Sequence, residues 1–290
     1  MPSKVRTWLR LAPFLALVGG LFLLAAGKML SLSLNHFPLL GRSGYDLSAY
    51  RTILRDPAFW RSARFTISQA WISSALVMAC GLLFAAHAAQ KPNNNWLRRA
   101  VALPINLPYL IVSVMILQFF NQGGWLARVA NLLFALPPQA FPLLVHDRFG
   151  WGIGFVYLWK QIPYILFVML TIFARFDRRL LLVGKTLGGN PRQNFWRITF
   201  PMIQAAFFRN WLIILTFSLG NYEVPFLLGN QRNRTLSVYL SQLYQEADLS
   251  TRPVALAAAV LFILLIILNI AALQLLQVVC GKRRGNHGAR

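Results

Sequence analysis

The chain has 290 residues, 57% of them hydrophobic, and a mean hydropathy of +0.53, well above the apolar content of about 45–50% found in soluble domains. It carries 29 Lys and Arg against 7 Asp and Glu, a formal charge of +22. The bases gather at the ends of apolar runs and form no stripe on a polar fold, so a membrane, and not nucleic acid, is the expected partner. Two cysteines, Cys80 and Cys280, exclude a disulfide framework and a cysteine metal site.

A helix needs about 20 apolar residues, at about 1.5 Å each, to cross a hydrocarbon core roughly 30 Å thick. Six stretches qualify, so residues 1–290 read as one all-α domain, a polytopic membrane helical bundle with six transmembrane helices. The first, 11–34, follows Lys4, Arg6 and Arg10. It exceeds the apolar core of about 7–15 residues in a cleaved signal and reads as an uncleaved span. The second is 64–89. The third, 100–120, contains Pro104 and Pro108 and is expected to be bent or broken. Residues 122–150 then hold a glycine pair, Pro137-Pro138, Pro142 and the apolar run Leu132 to Leu136. That pattern predicts a short interfacial helix followed by extended chain. The fourth span is 151–173, and a basic, mostly polar segment, 174–203, follows it. The fifth, 204–228, carries Pro225 and should also be bent; the sixth is 253–279.

Lys and Arg in the connecting segments set the orientation. Segments 1–10, 90–99, 174–200 and 280–290 hold 16 bases in 58 residues, whereas 35–63, 122–150 and 229–252 hold 9 in 82. The first group is expected on the cytoplasmic side, with the N and C termini both inside. Cys80 and Cys280 then lie toward the cytoplasm, where disulfides are rare.

Familiar catalytic patterns are missing. Gly184-Lys185-Thr186 ends like a phosphate-binding loop, but the glycine needed five residues earlier is Arg179, and no buried strand precedes it. His36, His87, His146 and His287 show no pair at metal-ligand spacing. Most acids fall in connecting segments, and only Glu223 lies within an expected span. A proton- or ion-coupled carrier normally places several such groups in the membrane. Energy supplied from outside the chain is the more economical reading.

Lys160 and Glu223 are the conspicuous intramembrane charges. Lys160 is expected about 14 Å below the outer end of its span and Glu223 about 8 Å below, depths that differ by roughly one helical turn. Charges at such depths face protein or a watery cavity. One reading pairs them, or lets Lys160 snorkel toward an interface. The other places them along a translocation path with Gln161, Asn221 and Tyr222.

The segment 174–203 resembles the EAA loop of permease subunits in binding-protein-dependent ABC importers, whose pattern is E-A-A-x3-G-x9-I-x-L-P. Gly188, Ile198 and Pro201 keep that spacing, whereas Leu182, Val183 and Gly184 stand at the Glu-Ala-Ala positions and Phe200 replaces the leucine. Leu103-Pro104 to Pro108, Trp159 to Pro163 and Glu223 to Gly229 are similar to the same family. The branch resembled is that of polyamine, iron, thiamine and aminoethylphosphonate importers. The resemblance implies a MetI-like permease fold in a bacterial inner membrane and a chain that is no enzyme itself. It also implies a second permease subunit, identical or homologous, an extracytoplasmic solute-binding protein and surrounding lipid. ATP and Mg would be used by a partner ABC ATPase dimer, and this chain would bind no cofactor. Residues 178–201 would couple to that ATPase through Arg179, Leu182, Val183, Gly184, Leu187, Gly188, Ile198 and Pro201. The alternative is a self-sufficient secondary transporter or channel.

The loop's local chemistry supports a lever. A short helix over 179–187 is expected to end at Gly188-Gly189, since glycine adopts the left-handed conformation past a helix end. Asn190-Pro191 then turns the chain, and a second helical piece with Phe195, Trp196 and Ile198 leads to Pro201 at the membrane. Leu180, Leu181 and Val183 are expected to fill a partner groove, with Arg178, Arg179 and Lys185 at its rim.

Overall fold

The computed structural model describes residues 3–38, 41, 44–88, 104–174, 184, 186 and 188–285. The chain is all-helical, with α1 Ser3–Ser33, α2 Ser48–Arg55, α3 Pro57–Ala88, α4 Tyr109–Phe120 and α5 Trp125–Phe134. These are followed by α6 Trp151–Ala174, α7 Phe200–Gly220, α8 Glu223–Leu228, α9 Leu236–Tyr244 and α10 Arg252–Gly285.

Six stretches among the described residues are long and apolar enough to cross a membrane: Leu11–Ser33, Pro57–Ala86, Tyr109–Phe134, Trp151–Phe173, Arg192–Gly220 and Leu249–Val278. Three differ from the expected windows for identifiable reasons. The second begins seven residues earlier, because Asp56 accepts the Ala58 amide at 2.7 Å and Pro57 occupies the first helical position. The third begins at Tyr109, past Pro108, and its apolar stretch continues into α5 beyond a break at 121–124. The short helix expected in 122–150 is thus the second half of a candidate span, and extended chain starts only after Ala135, at φ 51°. The fifth begins at Arg192 and stops at Gly220, leaving Glu223 in the separate short helix α8.

The chain packs as two compact units, Met1–Arg61 with Tyr239–Leu265, and Ser62–Val238 with Ile266–Arg290. The divisions fall inside α3, α9 and α10, so no linker composition marks them and the sequence reads as one domain.

In the first unit, Asp46 organises the turn between α1 and α2. Its carboxylate accepts from the Asn35 side chain at 3.0 Å and from the Ser48 amide at 2.7 Å, which starts α2. Ser33 and Tyr50 share a hydrogen bond of 2.8 Å, and the Tyr239 hydroxyl donates to Asp56 at 2.5 Å. Phe14, Leu17, Leu21, Phe22 and Leu24 of α1 are exposed, an apolar surface suited to lipid.

The second unit holds the main core. Val77, Met78, Leu82 and Ala85 of α3 pack with Ile165, Leu166 and Met169 of α6, Ile203, Phe207, Leu215 and Leu219 of α7, and Leu273 of α10. Small residues bring the helix backbones close: a Cβ on Gly81 would lie 2.5 Å from the Ile165 Cγ2. Several polar side chains pair between helices, which offsets the cost of placing them in an apolar surrounding. Trp71 donates to Asn269 at 2.7 Å, Trp211 to Ser74 at 3.0 Å and Tyr164 to Asn210 at 3.1 Å. A smaller cluster joins Val112 of α4, Ile153, Val156 and Tyr157 of α6, and Val224 and Leu228 of α8.

Candidate coupling elbow and intramembrane site

The elbow at 184–198 is built almost entirely from local interactions. Gly184 and Thr186 are helical, and Gly188 adopts φ +76°. The Gly189 amide donates to the Gly184 carbonyl at 3.0 Å, the bond that closes a helix end of the Schellman type. Asn190 and Gln193 then bond reciprocally: Asn190 Oδ1 accepts the Gln193 amide at 2.8 Å and Gln193 Oε1 accepts the Asn190 amide at 3.2 Å. This is a capping box with Pro191 at the first helical position, where a missing N–H costs nothing. One helix is closed and the next opened within seven residues.

A buried asparagine locks the corner. Asn194 is 8% exposed, and its side chain fills the space over both glycines. A Cβ on Gly184 would lie 2.6 Å from Asn194 Oδ1 and 2.7 Å from Ile198 Cδ1; one on Gly189 would lie 2.5 Å from Asn194 Oδ1. The departure from alanine at position 184 therefore has a steric cause. Asn194 was not legible as a site residue, since only the folded corner brings it over residues ten and five positions back.

Beyond the corner, Pro191–Asn194 leads into a π turn, Phe195–Thr199, that runs into α7. The expected position of Pro201 changes accordingly. Expected where the chain meets the membrane, it lies instead inside a continuous helical stretch; the helical backbone is interrupted at Gly188–Asn190. Phe200, in the leucine position of the motif, packs its ring against Trp196 at 5.2 Å and Phe207 at 5.6 Å. The elbow is thus joined to the α7 core by aromatic contacts. Arg179, Leu182, Val183 and Leu187, along with Arg178, Leu180, Leu181 and Lys185, lie outside the described residues.

The intramembrane residues separate into different environments. Lys160 is 6% exposed, and its ammonium donates to the carbonyls of Pro104 at 2.7 Å, Ile105 at 3.0 Å, and Leu107. It also lies 4.9 Å from the centroid of the Tyr109 ring. Neither expected partner is used: Lys160 meets backbone carbonyls, not Glu223, and it does not snorkel. Glu223 is exposed at the start of α8, and among the described residues its carboxylate forms no hydrogen bond or ion pair.

Gln161, next to Lys160, turns elsewhere and approaches the Ser218 hydroxyl of α7 at 3.4 Å. One turn earlier on α6, the Tyr157 hydroxyl is buried without a hydrogen-bond partner. Asn221 ends α7 in an extended conformation; its side chain accepts the Val224 amide at 3.0 Å and its carbonyl accepts the Ser237 hydroxyl at 2.8 Å. Tyr222 stacks on Phe226, with ring centroids 5.1 Å apart. Asn221, Tyr222 and Glu223 are brought together at a helix interruption, with Asn221 committed to shaping it.

Residues 77–279 match the family of binding-protein-dependent transport system inner membrane components, and the chain belongs to that family. It is a multi-pass inner-membrane protein. It is 27% identical over 256 residues to the thiamine transport system permease protein ThiP of Brucella suis, covering 86% of this chain and 44% of that protein. It is 22% identical to sulfate permease 2, chloroplastic, of Chlamydomonas reinhardtii, over 71% of this chain and 54% of the relative. It is 26% identical to the probable starch degradation products transport system permease protein AmyD of Thermoanaerobacterium thermosulfurigenes, covering 82% of this chain and 80% of that one. The chain spans about half the length of the first two curated relatives. These systems extend beyond the branch that the motifs resemble, with thiamine in common. The structure is similar to a bacterial ABC transporter involved in the import of the acidic polysaccharide alginate, with a TM-score of 0.75, 18% identity and coverage of 94% of this chain and 96% of that chain. The fold is therefore that of MetI-like permeases.

Proposed function

We propose that this chain is a permease subunit of an ABC import system, forming part of the solute path and coupling to a separate ATPase through the elbow. The observation that carries this reading is the corner at Gly184–Ile198. It is closed by its own caps, locked by Asn194 and continuous with α7 through helical backbone and aromatic rings. A segment of that construction transmits force without deforming, because its internal contacts do not depend on its neighbours. An ATPase dimer that closes on ATP and Mg would push on the elbow, and α7 would follow. In this reading the elbow and both termini face the cytoplasm. A second permease subunit completes the path, and an extracytoplasmic binding protein delivers the solute. Gln161, Asn221, Tyr222 and Glu223 are the residues assigned to that path.

The test is reconstitution of the purified chain with a co-expressed ABC ATPase. The chain alone is expected to hydrolyse no ATP, to stimulate hydrolysis by the ATPase, and to support vesicle uptake only when ATP is present. Uptake driven by an ion gradient in vesicles without any ATPase would overturn the proposal in favour of a secondary transporter.

A further inference from the structure

The backbone before α4 presents acceptors that its own helix does not use. Pro108 has no N–H to give to the Pro104 carbonyl four residues earlier, and it biases Leu107 away from the helical region. Pro108 itself is extended, at φ −60° and ψ 146°. Regular pairing resumes only with the Val112 amide on the Pro108 carbonyl, at 3.2 Å. The carbonyls of Pro104, Ile105 and Leu107 converge instead on one point, which Lys160 Nζ occupies. An ammonium has three N–H donors and no acceptor, and three carbonyls take all three. The Tyr109 ring covers a further side at 4.9 Å. Nothing is left on Lys160 to offer a solute.

We propose that the Pro104–Leu107 carbonyls form a cation-binding bowl that Lys160 fills as a tethered ligand, making Lys160 a positioning residue for the broken third span. Charge and hydrogen bonding matter here, not side-chain volume. Vacating the bowl leaves a site for a small primary ammonium ion. The inference rests on the permease reading only for its bearing on the solute path, since it removes Lys160 from the residues that meet solute.

Amide hydrogen exchange on the purified full chain in detergent micelles tests the proposal without ATPase or solute, so its failure is separate from failure of the transport reading. In Lys160→Ala, exchange of the bonded amides across 112–116 is expected to rise by about tenfold or more, since the local opening free energy falls. Added ethylammonium is expected to return it toward the wild-type rate, and Lys160→Arg to restore it in part. Unchanged exchange in Lys160→Ala, or rescue by ethanol as complete as that by ethylammonium, would overturn the proposal. The wild-type chain gives an independent reading if the variant does not fold. Lys160 should resist acylation by an amine-reactive reagent in the folded chain and react once the chain is denatured, and equal rates in the two states would also overturn the proposal.

Discussion

Two of the helix interruptions in the second unit are repaired in opposite ways. At Gly188–Pro191 the repairs among the described residues are local: Gly189 bonds to Gly184, and Asn190 and Gln193 cap each other. At Pro104–Pro108 the repair comes from Lys160, more than fifty residues along the chain and on another helix. The first is a self-contained corner that can move as one piece. The second is a tie between two helices, and it holds only while they keep their present relation. A lever and a joint need these different constructions.

Breaking the tie should produce the largest effect. Lys160→Met leaves three carbonyls without donors in a buried place, and each such loss costs about 1–3 kcal/mol before water relieves it. The variant is expected to lose about 3 kcal/mol or more, read as a drop in thermal unfolding temperature in micelles. A loss under about 1 kcal/mol would show that the carbonyls find other donors.

Overfilling the corner comes next. Gly184→Val inserts carbon where Asn194 Oδ1 and Ile198 Cδ1 already lie, a strain of about 1–3 kcal/mol. Because Asn194 is one of the two side chains in conflict, Asn194→Ala in the same chain should recover part of that loss. Strict additivity of the two changes would contradict the described packing.

Gly188 presents the opposite problem. Among the described residues no atom lies within 4 Å of its would-be Cβ, but its φ is +76°. Gly188→Val should therefore cost about 1–2 kcal/mol through backbone strain alone, and Gly188→Asn much less. Membrane insertion is expected to survive, while stimulation of the co-reconstituted ATPase falls. Unchanged stimulation and uptake in Gly188→Val would count against the elbow as a coupling element. The smallest effect belongs to the cap: Asn190→Ala should cost about 1 kcal/mol, and Gln193→Ala a similar or smaller amount. If the two losses are independent in the double variant, the caps are not reciprocal.

The same contrast explains what the sequence disclosed. The helix end at Gly188, the turn at Asn190-Pro191 and the six apolar stretches rest on interactions within a few residues, and their signatures are visible in the chain. The break near Pro104 and Pro108 was legible for that reason too, but its partner was not. A lysine and a glutamate at similar depth invite pairing, and nothing in the sequence reveals three carbonyls competing for the ammonium. Asn194 escaped notice because its importance lies in shape: it fills the volume that two glycines vacate. The placement of Glu223 shifted because α7 ends at Asn221, whose side chain caps α8.

The central claim is that the elbow receives force from an ATPase, and site-specific photo-crosslinking in the reconstituted complex tests it most directly. Probes at Thr186 and Arg192, exposed on the two sides of the corner, are expected to capture the ATPase subunit in a manner that changes with ATP. A probe at Phe226, exposed on α8, is expected to capture none. Capture from Phe226, or none from either elbow position, would contradict the account.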